Sequence, residues 1–205
     1  MIRKATKKDL EKVALIFRES FPESINFYFN NTIKNNAIED IFRIVLLSEP
    51  DGFLVYQIDN QVVGYICVIT NIKRIWTNTI ITFSFLKWAF KWFLGLYGFG
   101  LFPIKKIASN KLDFYKFQKI NATDVTAQIL SIGILKDYRG KSIGSSLVEA
   151  GLNVLKEKGV KAVKLEVRPD NISAIKLYKK FGFYHIGMSS DPQGRWIVMR
   201  KDFTE

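Results

Sequence analysis

The run Ser131-Ile-Gly-Ile-Leu-Lys-Asp-Tyr-Arg-Gly-Lys-Ser-Ile-Gly-Ser-Ser-Leu147 holds the residue types that could do chemistry on an anion. An apolar strand ends near Leu135, a loop carries Arg139, Gly140 and Lys141, and a helix begins near Ser142. The first amides of a helix have no partner within it. With the helix dipole and two adjacent cations they make a seat for a phosphate or pyrophosphate. Gly140 and Gly144 allow close backbone approach where a side chain would intrude. Two nucleotide patterns fail: Gly140-Lys141-Ser142 imitates the end of a P-loop, but Leu135 stands where its first glycine is required, and G-x-G-x-x-G is not met. Taken alone, the run leaves two readings open, an anion seat or a turn glycine beside a solvated arginine. Cys67 and His185 are the only residues of their kinds, so neither a disulfide framework nor a Cys/His zinc cluster is expected, and no metal.

The elements that would position this run read as α/β. Ile2–Ala5 forms a short strand, and Lys8–Ser20 a helix with Leu10, Val13, Ala14, Ile16 and Phe17 on its apolar face and Thr6 as its cap. A second helix spans Ala37–Leu47 and stops before Pro50. Phe53–Ile58 and Val62–Thr70 form a hairpin about Asp59-Asn60-Gln61. Further on come a strand at Ala127–Leu135, a helix at Ser142–Lys158 closed by Gly159, and a strand at Ala162–Val167. A helix at Ile172–Phe181 closed by Gly182 and a last strand at Trp196–Lys201 follow. Gly133 inside a strand signals a bulge or a gap where another chain approaches. Alternating strands and helices call for parallel neighbours and the hairpin for antiparallel ones. The expected fold is a mixed, mostly antiparallel sheet of six or seven strands with helices on both faces.

A second segment follows 27 residues after Gly144: Asn171-Ile-Ser-Ala-Ile-Lys-Leu-Tyr-Lys-Lys-Phe-Gly-Phe183. The two together resemble the GNAT superfamily of acetyl-CoA-dependent N-acetyltransferases. Its (Arg/Gln)-x-x-Gly-x-(Gly/Ala) signature matches Arg139 to Gly144, and its Asn-x-x-Ala-x-x-Leu-Tyr-x-x-x-Gly-Phe segment matches Asn171, Ala174, Leu177, Tyr178, Gly182 and Phe183. Leu165-Glu166-Val167-Arg168 before it, with Ile197–Lys201 at the end, is most similar to the ribosomal-protein alanine N-acetyltransferase branch. The resemblance is close over 125–203, loose over 1–70 and absent from 71–120.

The resemblance implies an acyl-CoA N-acyltransferase fold and acetyl-CoA as cosubstrate. Its pyrophosphate would be held by Arg139, Gly140, Lys141, Ser142, Ile143 and Gly144, and its pantetheine by backbone groups of Ile132, Ile134 and Leu135 and the side chain of Asn171. Asn171 is equally a helix N-cap. Glu166 is implied as general base and Tyr178 as the acid for the departing sulfur. On its strand Glu166 is also readable as a surface carboxylate, with water as the base, and Tyr178 as a core aromatic. Ser142 departs from a position that is usually glycine, and Lys136 replaces a common proline. The acceptor is an amine on a protein N-terminus, a small molecule or an amino sugar. The alternative is a non-catalytic acyl-CoA-binding or membrane-adaptor module of the same fold.

Net charge is +12, and residues 71–120 contribute nine basic side chains against Asp113 alone. The same fifty residues hold 13 of the 29 aromatics, which marks an insertion, mainly helical, within one domain spanning 1–205. Lys87 and Lys91 interrupt its apolar run, so a membrane span is not expected. A helix over Thr82–Leu94 would carry Lys87, Lys91 and Ser84 on one stripe and Phe85, Trp88, Ala89 and Trp92 on the other face. That face suits packing on the domain, a homodimer contact or an anionic membrane surface. Nucleic acid has no motif here. The start of the chain carries no signal-peptide pattern, and a cytoplasmic setting, peripheral to a membrane at most, is the expectation.

Overall fold

The computed structural model describes residues 1–100 and 125–203. Seven strands form one sheet: β1 (Ile2–Lys4), β2 (Phe53–Ile58), β3 (Gln61–Ile69), β4 (Ala127–Ile134), β5 (Ala162–Val167), β6 (Tyr184–Asp191) and β7 (Gly194–Asp202). Their spatial order is β1-β2-β3-β4-β5-β7-β6, antiparallel throughout except for the parallel pair β4–β5. The β2–β3 turn is tighter than the sequence suggests. Asp59 and Asn60 both take positive φ (45° and 61°), the geometry of a two-residue hairpin turn that follows the strands' own twist, and Gln61 already pairs with Ile58.

Around the sheet stand α1 (Leu10–Ser20), α2 (Pro22–Phe29), α3 (Asn35–Ser48), α4 (Lys73–Ile81), α5 (Ser84–Phe93), α6 (Ile143–Glu157) and α7 (Ile172–Lys180). Strand alternation splits the core into two layers. Phe53, Val55, Tyr65 and Cys67 face α1 and α3, whereas Leu54, Ile66, Val68 and Leu165 face α6 and α7. Gly151 lets α6 press onto β3, since a Cβ there would lie 2.9 Å from Val68 Cγ1.

Two polar ties fix the outer parts. Asp9 begins α1, accepting two hydrogen bonds of 2.8 Å from Arg3 and others from the backbone and hydroxyl of Thr6. Buried Glu49, just past α3, accepts from Thr70, Arg74 and Lys158. Desolvation alone would raise its pKa, but the Lys158 and Thr70 contacts hold it below the ordinary carboxylate range.

Two elements were not anticipated from sequence, and a third, α4, only as part of an insertion expected to be mainly helical. The α2 helix opens with Pro22 at its first turn, where the missing N–H costs nothing, but eight residues are too few for a clear periodic signal. The β6 strand reads His-Ile-Gly-Met-Ser-Ser, without alternation, and forms because β7 offers a complete partner edge. The α4 helix lies in the insertion, separated from α5 by Phe83 in left-handed conformation (φ 51°). The α5 helix buries Trp88 and Trp92 of its expected apolar face but leaves Phe85 exposed and turns two members of the expected polar stripe inward. Ser84 is buried, Lys91 binds Asp40 at 2.6 Å, and Trp88 and Trp92 pack on the α1–α3 layer.

Candidate active site

The β4–β5 pair is a ladder only at its start, where Ala127 meets Val163 and Gln128 meets Lys164. Beyond that the strands diverge, because each keeps its other neighbour. The β4 strand stays paired with β3 through Ile134, and β5 with β7 through Val167. The bulge that assists this divergence is at Leu130, unpaired between Ile129 and Ser131, and not at Gly133 as the sequence suggests. Gly133 pairs regularly with Tyr65. It is glycine because a Cβ would sit 2.7 Å from the Tyr65 ring and 3.0 Å from Ser20 Oγ.

Which backbone groups face the gap follows from ladder alternation. The Leu135 N–H donates to Val63 O at 3.0 Å, so Gly133 and Ser131 also direct their peptide groups toward β3. Those of Ile132 and Ile134 point toward β5. This corrects the expectation for Leu135, whose amide is already engaged.

After Leu135 the chain makes one 3-10 turn at Lys136–Tyr138 and reaches Gly140 (φ 76°), where the left-handed backbone needs glycine and open space surrounds it. Ser142 is left-handed as well (φ 61°), which accounts for glycine being the usual residue at its position. From Gly140 to Ser145 the amide N–H groups have no acceptor among the described residues; Ser146 N is the first to bond, to Ser142 O. Arg139, Lys141 and Ser142 are exposed around them, with Arg139 Nε on Ile134 O at 3.0 Å and Lys141 Nζ 5.1 Å from the Tyr138 ring centre. Ile143 is buried beneath. A Cβ on Gly144 would meet Ile134 Cδ1 at 3.3 Å and Leu177 Cδ2 at 3.4 Å, so the start of α6 is wedged between the end of β4 and α7.

The α7 helix begins at Asn171, whose Oδ1 accepts from Ala174 N at 3.1 Å as a side-chain cap. Two turns on, Tyr178 is buried against Phe183, ring centres 5.8 Å apart, and burial pushes its phenol up to about 12. Glu166 lies on the opposite face of β5 from buried Leu165 and Val167, exposed at its own surface. Desolvation nevertheless raises its carboxyl above the ordinary range, with Ser189 and Lys164 opposing and Asp191 adding to the rise. Tyr178 and Glu166 therefore belong to the two faces of the sheet, on either side of the gap.

Sequence reasoning missed the group beside Glu166. Tyr28 of α2 donates to Asp191 Oδ2 at 3.2 Å, and Ser24 to Gln193 Oε1 at 3.1 Å, joining α2 to the β6–β7 turn. Burial and then Asp191 raise the Tyr28 phenol to about 12. Arg168, at the end of β5, stacks over Trp196 at 4.7 Å and donates to Gln193 O, closing the same end of the sheet. Ser189 Oγ, the hydroxyl that opposes the rise at Glu166, is buried at the same place. The only available signal was Arg168 following Glu166. A separate cavity of about 410 Å³, lined by Thr70, Val125, Lys161 and Arg200 among others, sits at the paired end of β4–β5, away from the gap. Among the described residues no group of three or more His, Cys, Asp and Glu could hold a metal ion.

Residues 106–183 match the acetyltransferase (GNAT) family model. The chain is 26% identical over 186 residues to an N-alpha-acetyltransferase of Sulfurisphaera tokodaii, covering 90% of this chain and 80% of that protein. It is 46% identical over 83 residues to a candidate ribosomal protein bS18-alanine N-acetyltransferase of Bacillus subtilis, a match spanning 37% of this chain and 55% of that one. The fold is shared with a ribosomal-protein-alanine N-acetyltransferase from Brucella melitensis, at a TM-score of 0.62, 16% identity and 99% coverage of both chains. Over residues 106–183 the chain is thus similar to the acetyltransferase (GNAT) family, and its fold is one that solved acetyltransferases share.

Proposed function

We propose that the protein transfers the acetyl group of acetyl-CoA to a primary amine, the α-amino group of a polypeptide. The observation that carries this reading is the unpaired edge of β4. Past Gln128 the β4–β5 ladder stops, the peptide groups of Ile132 and Ile134 face the β5 side with Ile134 O already taken by Arg139 Nε, and the amides from Gly140 to Ser145 are open. An extended arm bearing amides fits such an edge as an added strand. Its diphosphate would be held by those amides with Arg139 and Lys141. Asn171, its Oδ1 committed to the cap, retains its NH2 for the same arm. Bound acetyl-CoA supplies the activated acyl group.

The residues of the chain then divide the proton work between the faces. An α-amino group is mostly protonated below about pH 7.7–8, and Glu166, whose pKa desolvation raises toward that of the amine, takes that proton and frees the nitrogen lone pair. As the N–C bond forms and the C–S bond breaks, Tyr178 donates a hydrogen bond to the sulfur. Its pKa of about 12 keeps the phenol protonated across the neutral range. From ammonium to amide the nitrogen loses two protons, the first to Glu166 and on to solvent before attack, the second as the adduct collapses; the departing sulfur takes one proton through Tyr178, and one is released net to solvent. The carboxylates of Glu166 and Asp191 supply local negative charge in a chain of net +12, which suits a cationic amine entering from the α2 side.

Calorimetry with CoA, followed by detection of released thiol from acetyl-CoA with free and N-blocked peptides, tests the proposal. Heat with CoA and thiol release only with a free amine are expected. Absence of binding, or binding without release for any amine, would overturn it.

A further inference from the structure

The α4–α5 hairpin exposes a surface that the transfer reaction does not use. With Trp88, Trp92 and Lys91 turned inward, α5 presents Leu86, Phe90 and Phe93, spaced i, i+4, i+7, to the outside at 53%, 65% and 82% exposure. Leu94 extends this ridge, Phe83 heads it at the turn, and α4 adds exposed Trp76, Ile80 and Ile81. A contiguous run of large apolar side chains on a soluble surface marks a contact site. Between Asn71 and Gly100 there is no acidic residue. The cations are Lys73, Arg74, Lys87 and Lys91; Lys91 is held by Asp40 and Arg74 reaches Glu49 at 3.3 Å. Lys73 and Lys87 make no ion pair among the described residues, and Lys87 flanks the ridge one residue from Leu86.

We propose that this hairpin docks flat on an anionic lipid bilayer, with Phe83, Phe90, Phe93 and Trp76 entering the interface and Lys73 and Lys87 meeting lipid phosphates. Charge selects this occupant. A second copy packed by two-fold symmetry would set the same cations against each other with no carboxylate in the hairpin to pair them. Apart from Lys87, the outer face of α5 offers no hydrogen-bonding side chain to fix a protein register, which a fluid apolar medium does not require. Spanning is excluded for these helices, since α4 and α5 have nine and ten residues and no described helix is long and apolar enough to cross a membrane. Beyond α5, Phe99 packs on Phe29 of α2 at 5.1 Å, so a docked hairpin holds the α2 side of the sheet near the bilayer.

Flotation of the full chain with phosphatidylcholine vesicles, with and without phosphatidylglycerol, reads this directly. Each cation near an anionic surface contributes about fivefold in partitioning, so Lys73→Glu with Lys87→Glu is expected to lower anionic-vesicle binding by at least tenfold. Phe90→Ser with Phe93→Ser is expected to abolish it, and both variants keep wild-type thermal unfolding and CoA binding. Should the serine variant unfold, quenching of wild-type tryptophan emission by brominated-chain lipids reports insertion instead. Equal flotation with neutral and anionic vesicles, flotation unchanged by the serine pair, no quenching, or a soluble dimer that depends on Phe90 and Phe93 would each overturn the proposal.

Discussion

Replacing Tyr178 by Phe separates the chemistry from the fold. The ring packs edge-on to Phe183 at 5.8 Å in the α6–α7 layer, and phenylalanine preserves that contact. The hydroxyl makes no hydrogen bond to a described residue, so its loss strands no partner. Stability is expected to change by less than about 0.5 kcal/mol, well under the 3–5 kcal/mol typical of deleting a buried aromatic. Proton donation by a positioned side chain contributes about 10²- to 10⁴-fold, or about 2.7–5.4 kcal/mol of barrier. Turnover should fall within that range while the dissociation constant for CoA moves less than about twofold. Linkage offers an independent check. A phenol at about 12 in the folded chain, against an ordinary 10, gives stability that is intact below pH 10 and lost as pH rises toward 12. The loss is about 2.7 kcal/mol, and the variant should lack it. Urea unfolding at neutral and alkaline pH, with single-turnover rates on a free-amine peptide, measures all three. Turnover within twofold of wild type would refute the acid role. A neutral-pH destabilisation above about 2 kcal/mol would instead show that the hydroxyl is structural.

Glu166→Gln should remove the acidic limb of kcat/KM. With the carboxyl raised, activity climbs as pH rises through its pKa, and in the variant only the amine's own titration should remain; an unchanged profile would assign the base to water. Ser142→Gly should stabilise the chain by about 0.5–1 kcal/mol, since a left-handed serine costs about 1–2 kcal/mol and the added freedom of unfolded glycine offsets part of that. The corresponding rise in Tm is about 2–3 °C, and CoA binding should be retained. Asp9 is held at about 2 against an ordinary 3.8, chiefly by Arg3, so it contributes about 2.4 kcal/mol that is present above pH 4 and lost as pH falls to 2. Acid titration of Asp9→Asn should show a shallower loss than wild type.

What the sequence disclosed depended on whether a feature was local. The strand–loop–helix around Arg139 was legible because glycine, cation and helix start are consecutive, and the hairpin at Asp59-Asn60 because its turn chemistry lies in two residues. The gap between β4 and β5 was legible only as a glycine signal, and that signal pointed to the wrong residue. Gly133 answers to the Tyr65 ring, 68 positions away, whereas the bulge at Leu130 carries no compositional mark. The Leu135 amide was misassigned for a related reason: which peptide groups are free depends on the register with β3, which a single strand does not encode. The same holds more strongly at the end of the sheet beside Glu166. Tyr28 and Asp191 are 163 residues apart and meet because α2 packs across to the β6–β7 turn, neither of whose strands reads as a partner for it. In the insertion, periodicity identified the helix and two of the residues it buries, Trp88 and Trp92, but not that Ser84 and Lys91 turn inward with them. Two tryptophans and a lysine with Asp40 as its partner outcompeted the purely aliphatic and phenylalanine ridge for the core, since indole and ammonium groups find both apolar area and a polar partner there. The ridge left outside is thus a consequence of what the interior could satisfy, and its exposure is the reason to look for a surface outside the chain that it covers.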